Sequence, residues 1–352
     1  MRAVSAADSV SLAVQRTREF LFNPFNWGTY LKLGLVAIVT EGVGENFSSS
    51  SHGGGGSTGQ GPSLHAPFSF APELVAECVA ALLLALVLML FVFYLITRLR
   101  FAFFHCLVTN TREIRPGWRL YRTQAKRFFW MNLWVGLCFL LLLAVVALPF
   151  VAGFWRLFQE NQHGGHLNVG LLLSLILPLI PLIFLIALAG FMTDVILRDC
   201  MLPHYALEDA TAGRAWSQAW SRIKAEKGHF FVYALLRLVL PIVASAALFI
   251  LLLIPGLVLV GLLATVEYSL HAVFADATGA SAVTGILLQV FFGAIALGFA
   301  VLASVCLGGP VSTAVREYAL VFYGGRYEAL GSRLYPAAPP LPPPLNGAPE
   351  LA

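Results

Sequence analysis

Charge is scarce in this chain: Asp, Glu, Lys and Arg together make up 11% of 352 residues, against 59% hydrophobic. A soluble domain carries about 25% charged residues, so this composition excludes water as the only solvent. The uncharged runs exceed what a core of this size could bury and match bilayer crossings instead. A mean hydropathy of +0.80 agrees. Cysteine is sparse too, with Cys78, Cys106, Cys138, Cys200 and Cys306 each in or beside an apolar stretch. None forms the close pair that reads as zinc or redox chemistry. Long basic runs are missing: the net charge is +4 and the basic residues are spread over short segments, which argues against a nucleic-acid partner. Residues 1 to 22 lack the apolar core and small-residue cleavage site of a signal peptide, so the first membrane segment is expected to stay attached. There is no Gly-rich phosphate loop, zinc-protease helix motif or nucleophile elbow. No catalytic residue and no cofactor is predicted.

What the chain does have is apolar length. Runs of about 20 apolar residues place expected transmembrane helices near 28 to 44, 73 to 97, 129 to 154, 168 to 196, 230 to 254 and 282 to 308. The predicted fold is all-α: an integral membrane helical bundle of about six spans over 28 to 335. An amphipathic interfacial helix at 1 to 27 precedes it, and a disordered Pro-rich cytoplasmic tail at 336 to 352 follows. The first span has the shortest apolar run, Leu31 to Val43, with Lys32 at one end and Glu41 at the other. Residues 230 to 266 are too long for one straight crossing. Ile254-Pro255-Gly256 is expected to interrupt them, leaving 257 to 272 as an interfacial or re-entrant helix.

Orientation follows from Lys and Arg, which favour the cytoplasmic ends of spans. They fall in the N-terminal segment, in 98 to 127, in 198 to 227, and in the tail at Arg316, Arg326 and Arg333. Six spans put all four segments on one side. On the other side stands Arg156, while 45 to 72 and 267 to 281 contain no Lys or Arg. Both termini are therefore expected in the cytoplasm, and the Ser/Gly-rich stretch from Ser48 to Gly61 is expected to be an external flexible loop.

Several constellations invite a functional reading. Ala3, Ala7, Val10, Val14, Thr17 and Leu21 recur at helical spacing with Asp8, Ser11, Gln15 and Arg18 opposite, and Ser5 with Asp8 resembles a capping box. A helix at the interface or against the other spans is preferred here over a membrane-surface sensor. In the cytoplasmic stretch 204 to 227, Trp216, Trp220 and Ile223 share a face. With Glu208 and Asp209 they offer a candidate interaction surface, the alternative being an anchoring helix. Asp194 near the end of the fourth span can pair with Arg198 one turn on, and Arg237 early in the fifth span could partner Asp194. Ionisable groups at membrane depth mark candidate transport sites, so Asp194, Arg198 and Arg237 form a candidate intramembrane polar site. Pro178, Pro181 and Pro241 bend their helices, and Ala294 with Gly298 permits close helix contact inside the bundle or between subunits. His163 and His166, with Glu41, Glu45, Glu73, Glu77 and Glu267, could share the external face. A metal needs three or four converging ligands, so no metal site is predicted.

Phe22-Asn23-Pro24-Phe25-Asn26-Trp27 leads into the first span, and Arg98-Leu99-Arg100-Phe101 leaves the second. Thr193-Asp194, Pro203, Leu207-Glu208-Asp209, Ala215 and the stretch Pro310 to Tyr323 follow. In this order the chain resembles a broad group of bacterial multi-pass membrane proteins, similar to the membrane domain fused to some glycerophosphoryl diester phosphodiesterases. The resemblance covers most of residues 10 to 330. It implies a bacterial inner-membrane location and a six-helix bundle, and no activity. A phosphodiesterase barrel of about 250 residues has no room in the chain. The expected function is a non-enzymatic scaffold or accessory protein whose partners are the bilayer and a membrane or cytoplasmic protein. The alternative is a small transporter or lipid-handling protein using the intramembrane charges.

Overall fold

The computed structural model describes residues 5–42, 72–162, 169–274 and 279–335. Among these residues the chain is helical, with no strand. Helix α1 (Asp8–Phe22) turns into α2 (Trp27–Ala37), which a π turn extends over Ile38–Gly42. The long α3 (Pro72–Thr109), short α4 (Ile114–Leu120) and long α5 (Arg122–Gln162) follow. Helix α6 (Val169–Val195) continues through a second π turn, Ile196–Met201, into α7 (Leu202–Glu208). The remaining elements are α8 (Ala212–Ala225), α9 (Lys227–Phe274), α10 (Ala280–Gly324) and α11 (Glu328–Leu334).

Local chemistry accounts for the helix starts. The Ser5 hydroxyl accepts from the Asp8 amide at 3.1 Å and donates to the Asp8 carboxylate at 2.7 Å, a reciprocal cap as expected. The Asn26 side chain accepts from the Gly28 amide at 3.0 Å and so caps α2. Arg112 ties down the turn between α1 and α2 by donating to the carbonyls of Asn23, at 2.6 Å, and Pro24.

Five helical stretches are long and apolar enough to cross a membrane: Ala76–Thr109, Arg122–Leu157, Leu172–Glu208, Lys227–Phe274 and Val283–Gly324. They coincide with five of the six expected spans. The span expected at 28 to 44 is not among them. Among the described residues its helix and π turn cover Trp27–Gly42, and Tyr30, Leu33, Gly34, Val36 and Ala37 are buried against the rest of the chain. The interruption expected at Ile254-Pro255-Gly256 is also absent, since α9 runs unbroken with Pro241 and Pro255 inside it. A proline removes one backbone hydrogen bond. Opening a whole turn would strip several in a medium that offers no replacement. Residues 43–71 and the tail 336–352 lie outside the described residues, and with them the expected external loop, the tail and Glu45.

Packing is concentrated at one end. Phe101, Phe103, Phe104, Phe128, Tyr205, Tyr233, Tyr318 and Phe322 are fully buried there. Away from that end the long helices expose Leu, Ile, Val and Phe, as along Leu82 to Phe91 and Phe249 to Ile254. Helix α1 lies against α10 and joins this packed end. It buries Ser9, Ala13, Thr17, Phe20 and Leu21 and leaves Val14 exposed. The predicted face is thus rotated: small side chains meet α10, because they allow close approach where larger ones would hold the helices apart.

Candidate functional site

Glu41, Arg198 and Asp199 are carried by the two π turns. A π turn widens the helix by one residue and is often found at functional sites. Here both turns aim charge at one point between α3, α9 and α10. Asp199, its side chain only 1% exposed, accepts from the Tyr233 hydroxyl at 2.6 Å, from Arg237 Nε at 3.2 Å and from Arg316 Nη1 at 2.9 Å. Arg237 Nη2 reaches Glu41 Oε2 at 2.8 Å, and Arg316 Nε lies 3.8 Å from Glu41 Oε1. Arg316 also donates to the Arg198 carbonyl at 3.1 Å, and Arg100 Nε to the Thr40 carbonyl at 2.9 Å. Arg198 Nε meets Asp194 Oδ1 at 2.5 Å, with Asp194 still 44% exposed. The pairing of Asp194 with Arg198 is as expected. The pairing of Arg237 with Asp194 is not: Arg237 takes Glu41 and Asp199 instead. Glu41, expected on the external face, is buried inside this network.

Two cavities flank the network. One of about 650 Å³ lies between α6 and α9, lined by Asp194, Arg198, Arg237, Gly190, Phe191 and Ile242 among others. The second, about 420 Å³, is lined by Glu41, Ser245, Ser304 and Ser312 with apolar neighbours. Pro241 borders both. The Arg237–Glu41 pair joins the walls of the two, one residue facing each.

A separate polar cluster holds α8 to the packed end. Arg222 Nη1 lies 2.9 Å from His204 Nε2, and the Tyr323 hydroxyl lies 2.8 Å from the same nitrogen. An arginine only donates, so Nε2 accepts and the imidazole carries its hydrogen on Nδ1. The Arg222 guanidinium also sits 4.8 Å over the Tyr327 ring. The Tyr327 hydroxyl donates to Glu208 at 2.7 Å. Burial and that bond hold the Tyr327 hydroxyl well above the ordinary phenol range. Glu208 is therefore engaged within the chain, and Asp209 pairs with Arg127 at 3.2 Å on the surface. Helix α8 buries Ala215 and Ala219. Trp216 and Trp220 stack at 5.8 Å and remain 42% and 39% exposed.

Other candidates are not brought together. Ala294 is exposed, and a Cβ at Gly298 would meet nothing within 4 Å among the described residues. The tight crossing is instead Gly34 against Gly309, where an added Cβ at Gly309 would lie 2.7 Å from the Gly34 Cα. Among the described residues no group of three His, Cys, Asp or Glu is placed to hold a metal. His163 and His166 lie outside them.

Residues 4–333 match the family of unknown function DUF7544. The chain belongs to that family. No curated protein and no solved structure matches it. The DUF7544 match carries no activity, and it gives no link to phosphodiesterase-associated membrane domains.

Proposed function

We propose that this DUF7544 protein is a lipid-handling membrane protein whose cavity between α6 and α9 admits an amphiphile from the bilayer. The observation that carries this reading is the lining of that cavity. Asp194, Arg198 and Arg237 stand on one part of its wall, and Leu238 and Ile242, 39% and 60% exposed, border it with apolar surface. A headgroup and an acyl chain need that combination. The test is a thermal-stability screen of the purified full chain against a lipid panel. A ligand that binds the folded state at a hundredfold excess over Kd adds about 2.7 kcal/mol. A saturable rise in Tm with at least one lipid, lost in Gly190→Trp, is the expected outcome. No saturable rise with any lipid would sink the reading.

A second reading, partner docking, is favoured by the stacked, exposed Trp216 and Trp220 on α8. Their replacement by serine should release a partner that co-purifies in mild detergent while leaving Tm unchanged. A chain recovered alone at native expression counts against it.

We also propose an inner-membrane location with both ends in the cytoplasm, a topology in which residues 28 to 71 supply a sixth crossing beside the five long apolar helices. The support is that the Arg-rich segments are those of the packed end, where Arg16 on α1 pairs with Glu317 on α10 at 3.0 Å. Reporters placed at Gly55 and Pro343 should then report opposite compartments, and a common compartment rejects the topology.

A further inference from the structure

The network gathers more positive than negative charge. Arg100, Arg198, Arg237 and Arg316 face Glu41, Asp194 and Asp199. With the carboxylates ionised, one positive charge has no counter-ion, in a place where charge is poorly solvated. Hydrogen bonding is incomplete in the same sense. Arg237, which lines the cavity between α6 and α9, has its Nη1 buried with no hydrogen-bond partner among the described residues, on a side chain only 6% exposed. Buried donors without acceptors are costly, so the site lacks both one negative charge and the oxygen atoms to go with it.

We propose that the cavity between α6 and α9 is a seat for one phosphodiester monoanion, held by Arg198 and Arg237. A phosphodiester carries a single negative charge and two unesterified oxygens, which match the paired N–H groups of a guanidinium. Its ester arms would continue along Phe191, Leu238 and Ile242, the apolar part of the same lining. A phosphomonoester dianion would overshoot the missing charge, and a cation would add to the excess. Asp194 is the exchangeable group: its side chain is 44% exposed and borders the cavity, so an arriving phosphate can take its place on Arg198. Glu41 and Asp199, at 7% and 1%, stay as fixed counter-charges. That the anion belongs to a lipid rests on the lipid-handling reading above; that the seat takes an anion does not.

Native mass spectrometry and thermal shift of the full chain in neutral detergent test this with phosphatidylglycerol, phosphatidic acid, phosphatidylcholine and inorganic phosphate. Two variants accompany the wild type. Arg198→Gln removes a guanidinium whose carboxylate partner is half-exposed, so the fold should survive. Gly190→Trp fills the cavity from a position where an added Cβ meets nothing within 4 Å, leaving every charge in place. The expected result is saturable one-to-one binding of phosphatidylglycerol over phosphatidylcholine, weakened about tenfold or more by either variant. Inorganic phosphate binding that needs Arg198, without phosphatidylglycerol binding, would keep an anion site at Arg198 and overturn both its preference for a phosphodiester and the lipid reading. Lipids bound equally whatever their headgroup, blocked by Gly190→Trp but indifferent to Arg198→Gln, would keep the lipid reading and overturn the seat. No binding in any arm overturns both.

Discussion

Asp199 accepts three donors at once, from Tyr233, Arg237 and Arg316, with almost no exposure of its own. Its removal would leave two buried guanidiniums with less counter-charge and a buried hydroxyl without an acceptor. Breaking a buried charged pair by deleting one partner costs about 3–5 kcal/mol. Asp199→Ala should therefore lower the melting temperature strongly in detergent, whereas Asp194→Ala, at a half-exposed pair, should have a small effect. Equal losses for the two would show that Asp199 is not the anchor of the network. The sequence made the Asp194–Arg198 pair legible because both lie one turn apart on a helix. Glu41, Asp199 and Arg316 were not legible as partners. The π turn at Ile196–Met201 shifts Asp199 off the regular helical register, and a span-by-span reading assigned Glu41 to the opposite face.

At the scale of elements, small residues decide how helices meet. Four-residue spacing pointed to Ala294 and Gly298, yet the close crossing is between Gly34 on α2 and Gly309 on α10, with Val305 beside it. Spacing within one helix says that a smooth face exists; it does not say which helix covers it. Gly309→Ala must push α2 away or shift backbone, and overpacking of this kind costs about 1–3 kcal/mol. Gly298→Ala should stay within about 0.5 kcal/mol of the wild type, and unfolding curves in detergent compare the two. The docking of α8 is a related case. Its buried contacts are Ala215 and Ala219, and Arg222 reaches His204 over the Tyr327 ring. Ala219→Glu should lift α8 off and expose 209 to 227 to limited proteolysis, with the long helices left intact. A digestion pattern like that of the wild type would mean that α8 is held by Arg222 alone. The contact is made by the alanines, about 100° round the helix from the tryptophans. The motifs that carry the family resemblance fall on the same packed end: Asn26 caps α2, Arg100 holds Thr40, and Pro310 to Tyr323 supplies Arg316, Tyr318 and Phe322.

For the whole molecule, the contrast between a packed end and splayed apolar helices sets where lipid must be. On α5, Trp130 and Trp134 stand near one limit of the exposed apolar surface and Trp155 near the other, all three well exposed. The rise from Trp134 to Trp155 is about 31 Å, close to the roughly 30 Å of a hydrocarbon core, and tryptophan favours its two boundaries. The Tyr205 hydroxyl donates to Met131 Sδ at 3.3 Å, which levels α7 with the inner limit of α5. Asp199 lies about 9 Å back along its own helix from Tyr205, within roughly one turn of the Trp134 level. The charge network then sits at headgroup depth of the leaflet on the side of the packed end, with the cavity reaching from it toward the acyl chains, the arrangement the proposed lipid phosphate requires. Single-tryptophan variants in vesicles of brominated lipid measure this directly. Trp134 and Trp155 should each be quenched most by bromine placed near the headgroup, while Trp118, under the Arg98 guanidinium at 4.3 Å, should be quenched little by any of the lipids. Strongest quenching of Trp134 by mid-chain bromine would move the inner boundary past the network. The guanidiniums of Arg198 and Arg237 would then lie too deep for a headgroup still in the leaflet, and a lipid could reach them only by leaving it.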